Sequence, residues 1–148
     1  GFRNYGWETA EFSGETNVIC GENAQGKTNL LEAVCLLSTG RSFRTRFDRE
    51  LLGFDYSSSN ILADIESRGR QQNISIDIIS GKPKKISVNG VKKTASELCE
   101  TLNVVLFCPE DLNIIKEGAA GRRKLLDNAI SQIKPQYAAY LSQFNKLY

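Results

Sequence analysis

Apolar and polar residues follow two different periods along the chain, and each period predicts a kind of element. Residues 9–12 alternate between polar and apolar, and residues 17–20 form a short apolar run, which is typical of two short strands. From Lys27, apolar residues recur at helical spacing until Gly40, a residue type that commonly ends a helix. We therefore predict a strand, a second strand, a loop and a helix, in that order.

The middle of the chain has the pattern of a small antiparallel sheet. Residues 61–65 and 74–78 alternate at period two on either side of a polar turn at Gly69, as the two strands of a hairpin do. Asn89 and Gly90 stand between two valines, and an Asn-Gly pair favours the tight type I′ hairpin turn. We expect consecutive hairpins in this region.

The remainder of the chain is predicted to be mainly helical. Thr94 followed by Glu97 has the spacing of a capping box, which begins a short helix. Residues 104–107 are a continuous apolar run and predict a buried strand. From Ala120 the spacing is helical to the last residue, with a break at Pro135 because proline lacks the amide that a helix needs.

Composition narrows the classes of protein to which the chain can belong. With 148 residues, of which 41% are hydrophobic and 24% charged, it resembles a globular domain and not a disordered chain. The absence of histidine excludes a Ser-His-Asp hydrolase and removes the commonest zinc ligand. No apolar stretch is long enough to span a membrane, so we expect a cytoplasmic protein. The chain has no methionine and begins with glycine, so we expect it to be part of a longer protein.

Positive charge is concentrated in the middle of the chain. Residues 37–93 carry a net charge of +5, whereas residues 1–36 carry −3 and residues 94–148 are neutral. A local basic excess suits the binding of a polyanion such as DNA, and a solvated charged surface is the alternative. We expect several of these side chains to project from one end of the predicted sheet. The candidate DNA contacts are Arg70, Lys82, Lys84, Lys85, Lys92 and Lys93.

A glycine-rich motif lies between the second predicted strand and the helix. It matches the phosphate-binding loop pattern G-x-x-x-x-G-K-[ST] and consists of Gly21, Glu22, Asn23, Ala24, Gln25, Gly26, Lys27 and Thr28. In this context loop amides and the helix N-terminus bind phosphate oxygens. Lys27 is expected to reach the β- and γ-phosphates, and the Thr28 hydroxyl to ligate Mg²⁺. The motif therefore predicts a nucleotide site, and a glycine-rich turn with a surface lysine is the structural alternative.

Several blocks of sequence together resemble one family. They read F-R-N-Y from Phe2, G-E-N-A-Q-G-K-T-N-L-L-E-A from Gly21, G-R-S-F-R-T from Gly40, F-C-P-E-D-L from Phe107 and R-R-K-L-L-D from Arg122. These blocks and their order are similar to those of RecF, a family of bacterial DNA replication and repair proteins. The resemblance implies an α/β fold, namely a P-loop NTPase of the ABC/SMC head type with an antiparallel β subdomain and the start of a helical arm.

The resemblance also implies a domain organisation. Residues 1–119 would form the ATPase head lobe and residues 120–148 the start of a helical lobe. In such heads the Walker B acid, the catalytic glutamate and the signature motif come later in the sequence, so we expect this chain alone to hydrolyse ATP barely or not at all. Glu110 or Asp111 is the candidate to stand near the γ-phosphate, because the glutamine that ABC-type heads place there is not evident.

Residues outside the loop become candidates through the resemblance alone. It implies that Arg3, Asn4 and Asn29 contact the nucleotide, with an ordinary edge-strand start as the alternative for the first two. Arg44 is similar to the second arginine of the R-S-L-R segment of SMC heads and would act as an arginine finger near ATP. A helix-end arginine or a general DNA contact is the alternative for Arg44.

The function implied by the resemblance is that of an ATPase head in DNA repair, recombination and the SOS response. The parent protein would be a weak DNA-dependent ATPase that forms an ATP-dependent homodimer on DNA, irrespective of DNA sequence. With the partners RecR and RecO it would help to load the RecA recombinase at single-strand gaps. The alternatives are a P-loop small-molecule kinase, another SMC-like DNA-binding ATPase head, and a nucleotide and DNA binding module without turnover.

Overall fold

The computed structural model describes residues 1–67, 69–109, 111 and 118–147 of the chain. Arg68, Glu110 and Leu112, which belong to segments discussed above, lie outside the described residues. In chain order the elements are helix α1 (Lys27–Thr39), a 3₁₀ helix (Asp48–Leu51), strands β1 (Ser58–Ser67), β2 (Arg70–Ile79), β3 (Lys85–Val88) and β4 (Val91–Lys93), and helices α2 (Ala95–Leu98), α3 (Ala119–Ile133) and α4 (Pro135–Leu147).

The four strands form one antiparallel sheet in the order β1-β2-β3-β4, so the predicted hairpins are confirmed. Ile76 of β2 lies opposite Ile61 on one side and Ile86 on the other. Asn89 and Gly90 both have positive φ, 51° and 77°, as the two central positions of a type I′ turn require. The sheet register therefore follows from the period-two pattern and the turn residues together.

One face of the sheet supplies most of the hydrophobic core. Ile74, Ile76 and Ile78 of β2 are 0%, 0% and 1% exposed, which follows from the alternation of side chains along a strand. α1 packs across this face and adds Leu36 and Leu37. The other buried core residues in the cluster are Phe2, Leu51, Ile61, Ile86, Val88 and Leu98.

The predicted helix α1 is confirmed, and it lies between two glycines, Gly26 before it and Gly40 after it. Gly40 has φ 66°, and its amide donates to the carbonyl of Leu36 at 2.8 Å, as in a left-handed helix cap. A Cβ at position 40 would lie 2.7 Å from the Cβ of Ala95. Glycine is therefore required there both by its backbone conformation and by the close approach of α2.

The remaining helices also lie where the sequence predicts them. The Thr94 amide donates to the Glu97 carboxylate at 2.7 Å, so the capping box forms before α2. α3 ends before Pro135, and its cap residue Lys134 has an extended backbone, as expected for the residue before a proline. The Gln132 side chain of α3 bonds both the amide and the carbonyl of Val104, at 2.9 and 3.0 Å. None of the described helices is long and apolar enough to cross a membrane.

The prediction of strands at residues 9–12, 17–20 and 104–107 is wrong, because none of these segments is a strand in the structure. Val18, Val105 and Phe107 are 82%, 95% and 73% exposed. A strand requires a neighbouring strand to which its amides and carbonyls can bond. Within the described residues no backbone segment pairs with these three, so their β-forming sequences form no ladder.

Candidate nucleotide-binding site

The loop from Gly21 to Thr28 wraps around the N-terminus of α1. Gly21, Ala24 and Gly26 have φ values of 150°, 65° and 104°, a conformation that glycine adopts without steric cost and alanine rarely does. Within the described part of the chain, the amides of residues 23–28 donate no backbone hydrogen bond. The loop therefore presents unpaired N–H groups at the positive end of a helix, which is the arrangement that binds phosphate.

Gly26 is the tightest point of the loop. A Cβ at this position would lie 2.7 Å from the Tyr5 hydroxyl oxygen and 2.8 Å from Asn4 Oδ1. Only a residue without a side chain allows the loop to pack so closely on the N-terminal segment. The second motif glycine is therefore required by packing as well as by φ.

Lys27 and Thr28 are the first two residues of α1, and their phosphate and Mg²⁺ contacts stay predictions. The Lys27 ammonium donates to the carbonyls of Gly21 and Glu22, each at 2.6 Å, so it lies folded over the loop. A phosphate oxygen carries more negative charge than a carbonyl and would compete for that ammonium. Thr28 is exposed at the first turn of α1, where its hydroxyl suits a Mg²⁺ that takes its other oxygens from phosphate and water. Within the described residues, His, Cys, Asp and Glu form no metal-binding group of three or more.

A buried carboxylate lies one helical turn beyond the loop. Glu32 of α1 is 0% exposed. Arg3 donates to both of its oxygens, from Nε at 2.8 Å and Nη2 at 2.6 Å, in the bidentate geometry that suits a carboxylate. The Ser42 hydroxyl donates to Glu32 Oε1, and Arg44 Nη1 donates to Oε2 at 3.2 Å. Glu32 thus joins three segments that are distant in sequence.

A chain of amide side chains connects this carboxylate cluster to the loop. Arg44 Nη1 also donates to Asn29 Oδ1 at 2.6 Å, and Asn29 Nδ2 donates to Asn4 Oδ1 at 2.7 Å. Asn4 Nδ2 in turn donates to the carbonyl of Gln25 at 3.3 Å. The candidates Arg3, Asn4, Asn29 and Arg44, named from scattered blocks, therefore lie in one hydrogen-bonded network beside the loop.

The electrostatics of the cluster keep Glu32 ionised. Burial acts to raise the pKa of the Glu32 carboxyl, but hydrogen bonds from Arg3 and Ser42 and the charges of Arg3 and Arg44 outweigh it, so the pKa is lowered. One carboxylate then faces two guanidinium groups. The cluster carries a net charge of +1 and can accept an anion from outside.

The two arginines differ in how firmly they are held. Arg3 also donates from Nη1 to the carbonyl of Glu50 at 2.6 Å, and its side chain is 18% exposed. The Arg44 side chain is 42% exposed, and within the described residues its Nε and Nη2 make no hydrogen bond with the protein. Arg3 is thus fixed on three atoms, whereas Arg44 keeps an open side beside the loop. The nucleotide contacts of both arginines stay predictions.

Asp111 is the one member of the candidate acidic pair that the structure describes. Its side chain accepts a hydrogen bond from the Cys108 amide at 2.7 Å, and its own amide donates to the Cys108 carbonyl at 2.9 Å. These two bonds close a local turn after Phe107. A position of Asp111 near the γ-phosphate stays a prediction.

Sequence reasoning overlooked Glu32, although a signal was present. Glu32 is the only acidic residue of α1, whose sequence is otherwise rich in leucine. It lies three and four residues before the buried Cys35 and Leu36, on the face that packs into the protein. An acid on the buried face of an apolar helix needs cationic partners. Arg3 near the N-terminus and Arg44 in the R-S-F-R block are those partners.

The candidate DNA contacts do not all lie together. β2 has ten residues and is about 33 Å long, so Arg70 at its start and Lys82 beyond its end are far apart. Lys84 pairs with Asp48 at 2.7 Å, and Lys93 pairs with Glu97 at 3.1 Å. The expected grouping of these residues at one end of the sheet is therefore wrong for Arg70.

Lys82 lies with basic residues from another segment. It lines a shallow pocket of about 300 Å³ together with Arg46, Phe47 and Arg49, and the Arg49 guanidinium stacks 5.2 Å above the centre of the Phe47 ring. The Lys84–Asp48 ion pair joins the two segments. This basic pocket is formed by two stretches of sequence that the charge pattern alone did not bring together.

The fold and the loop define a class of nucleotide-binding protein, and comparison with known proteins agrees. The family model described as AAA domain matches residues 1–144, so the chain belongs to the AAA domain family. Similar curated proteins include RecF proteins: that of Acetivibrio thermocellus is 45% identical over 147 residues, which is 99% of this chain. The RecF of Clostridioides difficile is 44% identical over 98% of the chain. The resemblance to RecF is thereby confirmed, and the chain spans about 40% of the length of these curated relatives.

Solved structures agree with this result. A structure of the recombination mediator protein RecF with ATPrS, in the RecFOR pathway, is 42% identical and superposes with a TM-score of 0.91 over 98% of this chain and 40% of its own. A structure described as ATP-driven dimerization and DNA-stimulated activation of SMC ATPases is 20% identical, with a TM-score of 0.60 over 80% of this chain and 86% of its own. The predicted fold class, a P-loop head of the ABC/SMC type, is confirmed.

Proposed function

We propose that this chain is the ATP-binding head of a RecF-like DNA repair protein. The observation that most supports this is the loop from Gly21 to Thr28, with unpaired amides, left-handed backbone and a lysine at the start of α1. RecF structures similar to this chain are described with ATP and ATPrS. In this proposal the loop amides hold the phosphates, and the Lys27 ammonium moves from two carbonyls to phosphate oxygens. Mg²⁺, held by the Thr28 hydroxyl, would neutralise charge on the β- and γ-phosphates.

Calorimetry on the full-length protein with ATP and Mg²⁺ tests the nucleotide site. Lys27→Ala should weaken ATP binding at least about tenfold, because it removes a charge-assisted contact. Lys134→Ala removes the same charge at the exposed cap of α3 and should leave the affinity unchanged. Equal affinity of wild type and Lys27→Ala would refute the assignment.

We also propose that the head binds DNA, independently of sequence, through the basic pocket. Arg46, Arg49 and Lys82 line this pocket from two segments, and none of the three has an ion pair within the described residues. Unpaired cations contact phosphates without giving up an internal partner. Lys85 borders the same end of the sheet, whereas Lys84 and Lys93 are already paired. Of the candidate DNA contacts, we therefore favour Lys82 and Lys85, which lie near this pocket.

Two matched double variants of the full-length protein distinguish the basic pocket from the rest of the sheet. Arg46→Ala with Lys82→Ala should lower DNA affinity. It should also reduce the slope of log affinity against log salt concentration by about two. Arg70→Ala with Lys92→Ala removes the same two residue types elsewhere on the sheet and should change the slope less. If the second pair has the larger effect, DNA does not bind at the pocket.

The wider function follows from the family and is proposed for the whole protein. ATP binding would drive two heads together on DNA, weak hydrolysis would release them, and RecR and RecO would join the complex to help load the RecA recombinase in the cytoplasm. Sedimentation of the full-length protein with DNA and ATP tests the first step. Dimers should form with ATP, and Lys27→Ala should remain monomeric. Dimers of this variant equal to wild type would contradict the proposal.

A further inference from the structure

Glu32 is the point on which the polar network beside the loop depends. Its carboxylate accepts four hydrogen bonds, from two Arg3 nitrogens, the Ser42 hydroxyl and one Arg44 nitrogen, and it is fully buried. Removing either arginine would leave this buried carboxylate with fewer donors, which is costly for a charge in the interior.

Arg44 is the member of this network that can serve a ligand. One of its nitrogens, Nη1, is shared between Asn29 Oδ1 at 2.6 Å and Glu32 Oε2 at 3.2 Å. The side chain is 42% exposed, against 18% for Arg3. Arg44 is therefore anchored by one corner of its guanidinium while its other donors remain available to an anion.

Asn29 sets the direction in which Arg44 is held. It belongs to the first turn of α1, directly after Thr28, and its Nδ2 bonds Asn4, which bonds the Gln25 carbonyl of the loop. The anchored corner of Arg44 is thus fixed relative to the phosphate-binding loop and not to a distant surface.

We propose that Glu32 is a positioning residue that holds Arg44 beside the phosphate-binding loop, so that Arg44 contacts the phosphates of a bound nucleoside triphosphate. The inference rests on the proposed ATP site and extends it to a residue that does not itself touch the ligand. With Glu32 ionised, the cluster has a net charge of +1 that a phosphate oxygen can compensate. Without Glu32, Arg44 keeps its charge and its bond to Asn29 but loses the charged one of the two acceptors that fix its position.

A double-mutant cycle on the full-length protein tests this role, with ATP affinity measured by calorimetry in the presence of Mg²⁺. Arg44→Ala should weaken ATP binding about tenfold, as expected for a charge-assisted contact, and Glu32→Gln should weaken it by a similar factor. The double variant should also be about tenfold weaker and not about a hundredfold, because the two residues act through one contact. Arg44→Lys should weaken ATP binding nearly as much as Arg44→Ala, because one ammonium cannot replace both the anchored nitrogen and the open donors of the guanidinium.

Control variants separate positioning from general loss of stability. Val88→Ala opens the core on β3, so it should lower the melting temperature but keep ATP affinity within about twofold. Arg41→Ala removes a neighbouring exposed charge and should also leave the affinity close to that of wild type. The proposal is overturned if the factors for Glu32→Gln and Arg44→Ala multiply, or if either variant binds ATP like wild type. If Lys27→Ala binds ATP as tightly as wild type, the nucleotide site itself is refuted instead.

Discussion

β2 and two other segments, residues 17–20 and 104–107, are all rich in β-forming residues but differ in structure. Ile76 of β2 is 0% exposed, whereas Val18 and Val105 are 82% and 95% exposed. Ile76 lies in a stretch where isoleucine alternates with polar residues, and the two valines lie in short continuous apolar runs. The difference is that β2 has a hydrogen-bonded strand on both sides, and residues 17–20 and 104–107 have none within the described residues. β-forming sequence is therefore not sufficient for a strand, because the ladder is a property of two segments.

The largest expected contrast between these regions is in amide hydrogen exchange. In this 148-residue chain, amides at the centre of β2 should exchange only on global unfolding, at least about a thousandfold more slowly than those of residues 18–20 and 105–107. Exchange followed by NMR or mass spectrometry measures both sets in one sample. Comparable protection of the two sets would show that residues 18–20 and 105–107 are also paired.

A matched pair of truncations tests the same contrast through stability. Ile76→Ala should lower the free energy of unfolding by about 2 to 5 kcal/mol, since it leaves a cavity in the core. Val105→Ala removes an exposed side chain and should change it by less than about 0.5 kcal/mol. Denaturant unfolding of this chain gives both values. A large effect of Val105→Ala would place residues 104–107 in a packed interior.

The turn glycines provide a second comparison, between a packed and an open position. Gly40→Ala should cost about 2 to 3 kcal/mol, because its new Cβ would approach the Ala95 Cβ to 2.7 Å at a φ of 66°. Gly81→Ala has a similar φ of 74° but open space around its Cβ, so it should cost about 1 kcal/mol. Thermal unfolding compares the two. Equal losses would mean that α2 does not pack against the end of α1.

The smallest effect is expected at the capping box that connects the sheet to α2. Hydrogen bonds from the Thr94 amide and hydroxyl, together with Lys93, lower the pKa of Glu97 to about 2. The pKa of Glu97 is higher in the unfolded chain, so the ionised carboxylate stabilises the folded state. This contribution to the free energy of unfolding is complete above the ordinary pKa of 4.5 and is lost as the pH falls towards the folded-state pKa. The Glu97 side chain is 40% exposed, so Glu97→Gln should cost only about 0.5 kcal/mol at neutral pH. Unfolding curves should show this difference disappearing in acid; a difference that grows on acidification would contradict the assignment.

Local patterns predicted much of the fold and the centre of the candidate site. The loop and α1 were predictable because their signals are contiguous: two glycines, Lys27, Thr28 and an apolar period that ends at Gly40. The hairpins were predictable because an Asn-Gly pair and period-two alternation act over a few residues. Resemblance to RecF added Arg3, Asn4 and Arg44, whose spacing alone has no distinguishing pattern.

The chemical character of this protein is readable from its residues alone: a glycine-rich loop at a helix start that suits an anion, a basic middle and no histidine. Which residues meet depends on the folded chain. It placed Arg3 and Arg44 on the buried Glu32, joined Lys82 with Arg46 and Arg49, and left residues 17–20 without a strand partner among the described residues. The physical reason is that turns and helix periods arise from neighbours in the chain, whereas ion pairs, pockets and strand ladders depend on segments that only folding brings together.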